Sequence, residues 1–215
     1  RDEIAAGAWH PPGLLARRYR RGRALMVVPM RETVMQLATD IDRLCAESFN
    51  LVTANDRLPA VELVDGLRTI PVPSNTLPPA TVTNCLLLGD SGQRQVLVDP
   101  SPESEQVYRQ LENTLANWRV DAILLTHHHP DHHQRAPCLA RALSVPVLLS
   151  RLTRDYLESG WGGDYLAGLE LELVSEGDVV TRWKESAVRA YALPGHDDGM
   201  LGLAPDTLDW FFVAD

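Results

Sequence analysis

The stretch of sequence that decides the fold is Leu124-Leu-Thr-His-His-His-Pro-Asp-His-His133. It begins inside the apolar run Ala122–Leu125, which is typical of a strand covered on both faces, and leads into a predicted helix over residues 131–143. Five of the chain's seven histidines lie in residues 127–133. Imidazole and carboxylate groups are ligands for zinc and similar divalent metals. The clustering therefore predicts a metal site at the carboxyl end of a strand, where open α/β sheets bind ligands.

The spacing of these residues predicts which side chains bind metal. His127 and His129 are two residues apart on extended backbone, so both rings project to the same side. Asp131 and His132 lie in the first turn of the predicted helix, where Pro130 fits because it has no amide proton to leave unpaired. The turn therefore offers two pairs of ligands, one pair for each of two metals.

Three further histidines are not predicted to be ligands. His128 points away from its two neighbours on the strand, and His133 is expected on the helix surface. His10 lies in a helical segment without a ligand neighbour, so we interpret it as structural.

Composition limits the class of protein. The chain has 215 residues, 45% hydrophobic and 23% charged, which is ordinary for a globular domain, and no apolar run approaches the roughly 20 residues of a membrane span. A net charge of −9 argues against general attraction to nucleic acid. Three widely spaced cysteines without a CxxC pair predict reduced thiols and a cytoplasmic location.

The hydrophobic pattern changes along the chain. Residues 1–65 favour helices, over residues 13–21, 31–49 and 55–63. The apolar face of the second helix is predicted to contain Val34, Leu37, Ala38, Ile41, Leu44 and Cys45. Four prolines in residues 70–79 predict an irregular connector. After it we predict helices over 103–118 and 131–143, and strands over 83–88, 95–98, 122–125, 145–149, 169–174, 187–193, 200–203 and 210–213.

The HxHxDH pattern of residues 127–132 resembles the metallo-β-lactamase superfamily. The resemblance extends to Asn84-Cys-Leu-Leu-Leu-Gly89 and Val96-Leu-Val-Asp-Pro-Ser101, and to Leu193-Pro-Gly-His196 and Phe211-Phe-Val-Ala-Asp215. It implies an α/β fold with α+β layers, the αββα sandwich. Residues 80–215 carry it, which makes residues 66–215 the amino-terminal portion of such a domain.

The resemblance also implies the roles of individual residues. His127, His129 and His196 would hold a first metal, while Asp131, His132 and a bridging Asp215 would hold a second. Asp131 would also be the catalytic residue that orients the attacking hydroxide, and Asp99 would fix a ligand histidine through a hydrogen bond. The cofactor is expected to be zinc, two ions per complete protein, with iron or manganese as alternatives.

The implied activity is that of a metal-dependent hydrolase, which uses a metal-bound hydroxide on an ester, thioester or related bond of a small molecule. The motifs are nearest to the glyoxalase II-like and endoribonuclease-like branches. Three alternatives stay open: an endoribonuclease of the same superfamily, a mononuclear iron oxygenase using His127, His196 and Asp215, and a binding fragment without activity. The oligomeric state is open.

One departure from the family pattern concerns the second metal. The family supplies a last histidine from a later strand, and no residue follows Asp215 in the given sequence. We therefore expect a C-terminally incomplete chain, with at most one tightly held metal and little activity of its own.

The amino-terminal segment has a second resemblance. It looks like the tail of a Nudix-type domain, without the Nudix box. The residues that carry this resemblance are Trp9, Gly13-Leu-Leu-Ala-Arg-Arg-Tyr-Arg-Arg-Gly-Arg-Ala-Leu25 and Val28-Pro-Met-Arg-Glu-Thr-Val34. Leu77-Pro-Pro-Ala-Thr-Val-Thr-Asn84 resembles the linker of proteins that join such a region to a metallo-β-lactamase domain. The arginines of this segment are interpreted as a solvated helix face, with nucleic-acid binding as the alternative: Arg17, Arg18, Arg20, Arg21 and Arg23.

Overall fold

A computed structural model describes residues 8–26, 28–39 and 56–215. The described residues fall into two compact units. The smaller unit contains residues 8–26, 28–39 and Glu62–Asp65, and the larger contains residues 56–61 and Gly66–Asp215. The division of the chain into domains at residues 65 and 66 stays a prediction.

The smaller unit has two helices, α1 (Pro12–Arg20) and α2 (Val28–Thr39). Helix α1 follows the prediction, since Pro12 starts it and Gly22 follows it at a positive φ. In α2, Val34 is buried, but Ala38 is exposed although we predicted it on the apolar face. The remainder of that predicted face, at residues 41, 44 and 45, lies outside the described residues.

The prediction of helix up to residue 64 is wrong at its end. Strand β1 (Val61–Val64) replaces it, and residues 56–60 contain no helix. Within the smaller unit, Glu62 of β1 accepts a hydrogen bond at its backbone oxygen from Tyr19 Oη (3.1 Å) and forms an ion pair with Arg31. These contacts between distant residues determine the local structure, and periodicity alone could not reveal them.

The larger unit contains a mixed sheet and a small antiparallel sheet. Strands β2 to β7 lie in chain order in the first, antiparallel from β2 to β4 and parallel from β4 to β7. They are β2 (Leu67–Pro73), β3 (Val82–Leu88), β4 (Val96–Val98), β5 (Ala122–Leu125), β6 (Val147–Leu149) and β7 (Leu171–Leu173). The second sheet has the order β10 (Leu201–Pro205), β9 (Ser186–Ala192), β8 (Val179–Trp183).

Helices cover one face of the mixed sheet. They are α3 (Glu105–Leu115), α5 (Ala136–Leu143) and α6 (Arg151–Trp161), and the short helix α4 (Pro130–His133) precedes α5. Leu111 of α3, Leu139 of α5 and Leu157 of α6 pack in one core with Ile123 of the central strand β5. The neighbouring Leu124 points to the opposite face and is also fully buried. Burial on both faces explains why β5 is apolar throughout.

The proline-rich connector is partly a strand, which corrects the prediction for residues 70–79. Strand β2 includes Pro71 and Pro73, which pair in register with Asn84 and Val82 of β3. The two prolines are two residues apart, so the amide donors that they lack fall on one edge of the strand. The other edge keeps its donors, and Ile70 is fully buried.

The helix predicted over residues 131–143 is interrupted after His133. Arg135 adopts a left-handed conformation with φ 59°, and α5 begins beyond it. Pro137 has no N–H to donate to the oxygen of His133, which instead accepts a hydrogen bond from Tyr165 Oη at 3.0 Å. The break therefore separates a short helix that carries the motif from one that packs in the core.

Three other elements differ from the prediction. Helix α6 and strand β8 were not predicted, and residues 210–213 form only a single bridge between Phe212 and Leu203. No helix among the described residues combines the length and apolar character of a membrane span.

Candidate metal centre

The centre begins where two parallel strands end side by side. Asp99 follows β4, and Thr126 and His127 follow the neighbouring β5. The buried Asp99 carboxylate accepts hydrogen bonds from Thr126 N (2.8 Å, to Oδ1) and Thr126 Oγ1 (2.6 Å, to Oδ2). Its Oδ2 also lies 2.8 Å from Nδ1 of His132. One carboxylate thus ties the end of β5 to helix α4.

Three imidazoles converge on one point. Nδ1 of His129 lies 3.0 Å from Nε2 of His127 and 2.8 Å from Nε2 of His196, which the loop after β9 supplies. Ligand nitrogens about 2.0–2.1 Å from a tetrahedral zinc stand about 3.3 Å apart. The three nitrogens are thus nearly as far apart as the ligands of one ion, and their ligand atoms form one of the groups that could hold a metal.

A second group lies beside the first. Nε2 of His132 lies 3.8 Å from Oδ2 of Asp131 and 3.5 Å from Oδ2 of Asp215. The same oxygen of Asp215 lies 3.4 Å from Nε2 of His196. His127, His132 and Asp215 also form a group compatible with a metal. Asp215 therefore stands between the two groups, which is the placement that a bridging ligand requires.

Burial and neighbouring charges keep two of these imidazoles neutral. Burial, reinforced by His132, lowers the pKa of His127 to about 4, and burial beside His196 lowers the pKa of His129. Burial alone would also lower the pKa of His132, but the hydrogen bond and charge of Asp99 outweigh it and raise the pKa to about 8. Only neutral imidazole binds a metal, so a cation bound by His132 would displace its Nε2 proton. Imidazole nitrogens that face one another, with the carboxylates of Asp131 and Asp215 nearby, form a set of donors that fits a divalent cation.

Two buried hydroxyls hold helix α4 in place. Ser101 Oγ donates to the oxygen of Pro130 (3.0 Å) and accepts from Gln134 N (3.1 Å), bracketing the helix. Thr83 Oγ1 on β3 donates to the oxygen of Asp131 at 2.7 Å. The motif helix is thus fixed by side chains from two neighbouring segments.

A cavity of about 110 Å³ opens next to Asp131 and is lined in part by Asn84 and Phe212.

The family model of the metallo-β-lactamase superfamily matches residues 78–215. The chain belongs to this superfamily. Hydroxyacylglutathione hydrolase of Cereibacter sphaeroides (strain ATCC 17029) is 33% identical over 132 residues, which are 60% of this chain and 46% of that protein. The chain spans about half the length of the curated relatives it matches.

Solved structures show the same metallo-β-lactamase fold. A family protein from Thermus thermophilus superposes with a TM-score of 0.53 at 23% identity, over 70% of this chain and 59% of that one. A metallo-β-lactamase from Pontibacter korlensis gives a TM-score of 0.57 at 15% identity, over 73% and 71%. Together with the family match, they confirm the mixed α/β fold class.

The remaining histidines have different environments. His133 is fully buried, which contradicts the expected surface position: Nδ1 lies 2.6 Å from Tyr165 Oη and Nε2 lies 3.0 Å from the oxygen of His128. Partners for both ring nitrogens allow the ring to be buried. His128 contacts Tyr156 and Asp197 and lies beside His129, with ring centres 5.0 Å apart. His10 is exposed.

Sequence reasoning missed several residues that support the centre. Thr126 directly precedes His127, the first histidine of the motif. It follows a predicted strand, as Asp99 does, and two polar residues at the ends of neighbouring strands are a signal from which their contact could have been predicted. Ser101 lies two residues after Asp99, in a segment that the resemblance covered. Asp197 follows His196 directly but was not assigned a role.

Proposed function

We propose that this superfamily member is a metal-dependent hydrolase of small-molecule esters or thioesters. The convergence of His127, His129 and His196 on one point, with Asp215 beside them, carries the proposal. These three imidazoles would hold a first metal. Asp131, His132 and Asp215 would hold a second, with Asp215 shared between the two positions.

The protein's own groups prepare the ligands. When bound, divalent metals at these positions would polarise the scissile bond and lower the pKa of water. Asp99 accepts the Nδ1 proton of His132 and so leaves Nε2 as a donor of its lone pair. Thr126 keeps the Asp99 carboxylate in that orientation through two hydrogen bonds. Asp131, beside the cavity, is placed to accept a hydrogen bond from the attacking water.

The relatives support a substrate class. The similar proteins are hydroxyacylglutathione hydrolases, so we propose an acyl thioester of a small thiol, in keeping with the glyoxalase II-like motifs. Zinc is the proposed metal because imidazole and carboxylate ligands suit it, although they also suit iron and manganese. The Nudix-type resemblance of the amino-terminal segment and the cytoplasmic location stay predictions.

Metal content and thioester hydrolysis test the proposal. The purified chain is stripped with a chelator, titrated with zinc, and assayed for release of thiol from a hydroxyacylglutathione. We expect tight zinc binding that His129→Ala abolishes, and a low rate of hydrolysis that depends on added zinc. The matched control is His10→Ala, at an exposed histidine outside the centre, which should bind zinc like the unmodified chain.

Different results would contradict the proposal. A chain that binds no divalent metal tightly would overturn the metal centre. Tight binding of one iron with oxygen consumption would favour the mononuclear oxygenase, and cleavage of RNA without thioester hydrolysis would favour the endoribonuclease.

A further inference from the structure

A buried carboxylate outside both proposed ligand sets lies beside the centre. Asp197 has a side chain only 2% exposed, although it is charged and belongs to a loop. Its Oδ1 accepts a hydrogen bond from Gly199 N at 2.7 Å. Its Oδ2 is in direct contact with Nδ1 of His128. Burying a carboxylate without a partner costs free energy, and His128 is the side chain that supplies a partner for Asp197.

The pair joins the two loops that carry the first ligand set. His128 lies between His127 and His129 on the loop after β5, and Asp197 directly follows His196 on the loop after β9. The two strands belong to different sheets. Each member of the pair is the sequence neighbour of a proposed ligand, His129 or His196. Their contact therefore joins the two loops next to Nδ1 of His129 and Nε2 of His196, which lie 2.8 Å apart.

Helix α6 supports both members of the pair. The His128 ring packs on Tyr156 with ring centres 4.7 Å apart. Thr153 Oγ1 donates to the oxygen of Gly199 at 3.3 Å. An added Cβ on Gly199 would lie 3.0 Å from Ser150 Oγ and from Thr153 N, so this turn packs closely on the start of α6. The pair is therefore held from outside the metal centre.

We propose that His128 and Asp197 are positioning residues, a side-chain clamp that holds His129 and His196 at the separation one metal requires. The inference rests on the proposed function. Ligand atoms of His128, His129 and Asp197 are close enough to form a group compatible with a cation. We assign the pair as a clamp rather than as ligands because its two side chains contact each other directly, and the zinc titrations below distinguish the two roles.

Zinc affinity of matched variants tests the clamp. Asp197→Asn keeps the size of the side chain and an acceptor for Gly199 but removes the charge, and we expect zinc to bind about 10- to 100-fold more weakly, as measured by chelator competition. The control Asp198→Asn makes the same charge change at the next, exposed carboxylate and should leave the affinity unchanged.

A second variant separates the contact from the fold. His128→Phe keeps a ring against Tyr156 but removes Nδ1, and it should weaken zinc binding to the same extent as Asp197→Asn. The double variant should lose no more than either single one, because both remove one interaction. Thermal unfolding of the metal-free variants shows whether each still folds, and if Asp197→Asn does not, His128→Phe carries the test.

Three outcomes would overturn the clamp. The first is unchanged zinc affinity in both folded variants, and the second is fully additive losses in the double variant. The third is an additional tight zinc that disappears with Asp197→Asn, since the pair would then be ligands. Failure of the unmodified chain to bind zinc contradicts the proposed function itself, which distinguishes the two failures.

Discussion

Oδ2 of Asp99 lies 2.8 Å from Nδ1 of His132, and both side chains are buried. Asp99 follows strand β4, whereas His132 lies on helix α4. A buried carboxylate that accepts a ring proton fixes which nitrogen of the imidazole faces outward. The orientation of Nε2 towards Asp131 and Asp215 therefore depends on a residue that is not itself among the proposed ligands.

Asp99→Asn should therefore weaken metal binding at the second position. The carboxamide cannot match the charge-assisted hydrogen bond to His132, and we expect a 10- to 100-fold loss of zinc affinity there. Calorimetric titration of the metal-free chain measures it. The control is Asp164→Asn, at an exposed carboxylate, and equal isotherms for the two variants would contradict the role of Asp99.

The metal-free protein should lose stability in acid because His133 is buried as a neutral group. Burial lowers its pKa to about 4 from an ordinary 6.5. As the pH falls, the unfolded chain therefore protonates the His133 ring at a higher pH than the folded chain does. The contribution of the neutral ring to the free energy of unfolding is complete above pH 6.5 and is lost as the pH falls to about 4. Its upper limit is about 3 kcal/mol.

Unfolding by urea between pH 4 and 7 measures this loss. His133→Gln removes the titrating group, so its free energy of unfolding should decline less steeply with acid than that of the unmodified chain. Parallel declines would show that His133 does not contribute.

Ser101→Ala should affect both stability and the metal centre. It removes the hydroxyl that bonds to both the oxygen of Pro130 and the amide of Gln134. These two groups also bond to each other at 2.9 Å, so we expect a cost of about 1 kcal/mol and a weaker attachment of the helix that carries Asp131 and His132. We expect about tenfold weaker zinc binding as well.

Ser104→Ala provides the comparison for that variant. Ser104 caps helix α3 by accepting a hydrogen bond from Val107 N at 3.3 Å. Its loss should cost about 1 kcal/mol without a change in zinc affinity. If both variants affect zinc equally, the effect of Ser101 is general destabilisation.

Gly202→Ala should disturb the segment that ends at Asp215. An added Cβ would lie 2.6 Å from Leu193 Cδ1 and 2.9 Å from the oxygen of Phe212. Phe212 pairs with Leu203 through two backbone hydrogen bonds, so this pairing must shift. We expect a loss of about 1–3 kcal/mol. Gly160→Ala, with nothing within 4 Å of the added Cβ, should not destabilise, and thermal unfolding compares the two.

Local patterns predicted the central part of the fold. Strand β5 agrees with the prediction at both ends because a short strand buried on both faces requires an unbroken apolar run. Helix α3 has Val107, Leu111 and Leu115 on its buried face as predicted. In both elements the local preference and the tertiary environment agree, so the sequence is sufficient.

The elements that were not predicted depend on distant contacts. Strand β2 tolerates Pro71 because its pairing with β3 needs donors from one edge only. Helix α6 is capped by the preceding Ser150, which accepts a hydrogen bond from Thr153 N. It buries only Thr153 and Leu157 and so has little apolar signal. His133 is buried against Tyr165, which lies 32 residues further along the chain.

The same distinction holds for the candidate centre. The two-residue spacing of His127 and His129 is local, and the sequence predicted that their rings share a side. The approach of Asp197 to His128 joins residues 69 positions apart, and no pattern in a single sequence indicates it. The assignment of the individual residues as metal ligands stays a prediction.

A crystal structure of the zinc-loaded chain, with anomalous scattering recorded at the zinc edge, tests the central claim most directly. The account predicts an anomalous peak about 2.0–2.1 Å from Nε2 of His127, Nδ1 of His129 and Nε2 of His196. A structure without a peak between these nitrogens, or with zinc bound only at other side chains, would contradict it.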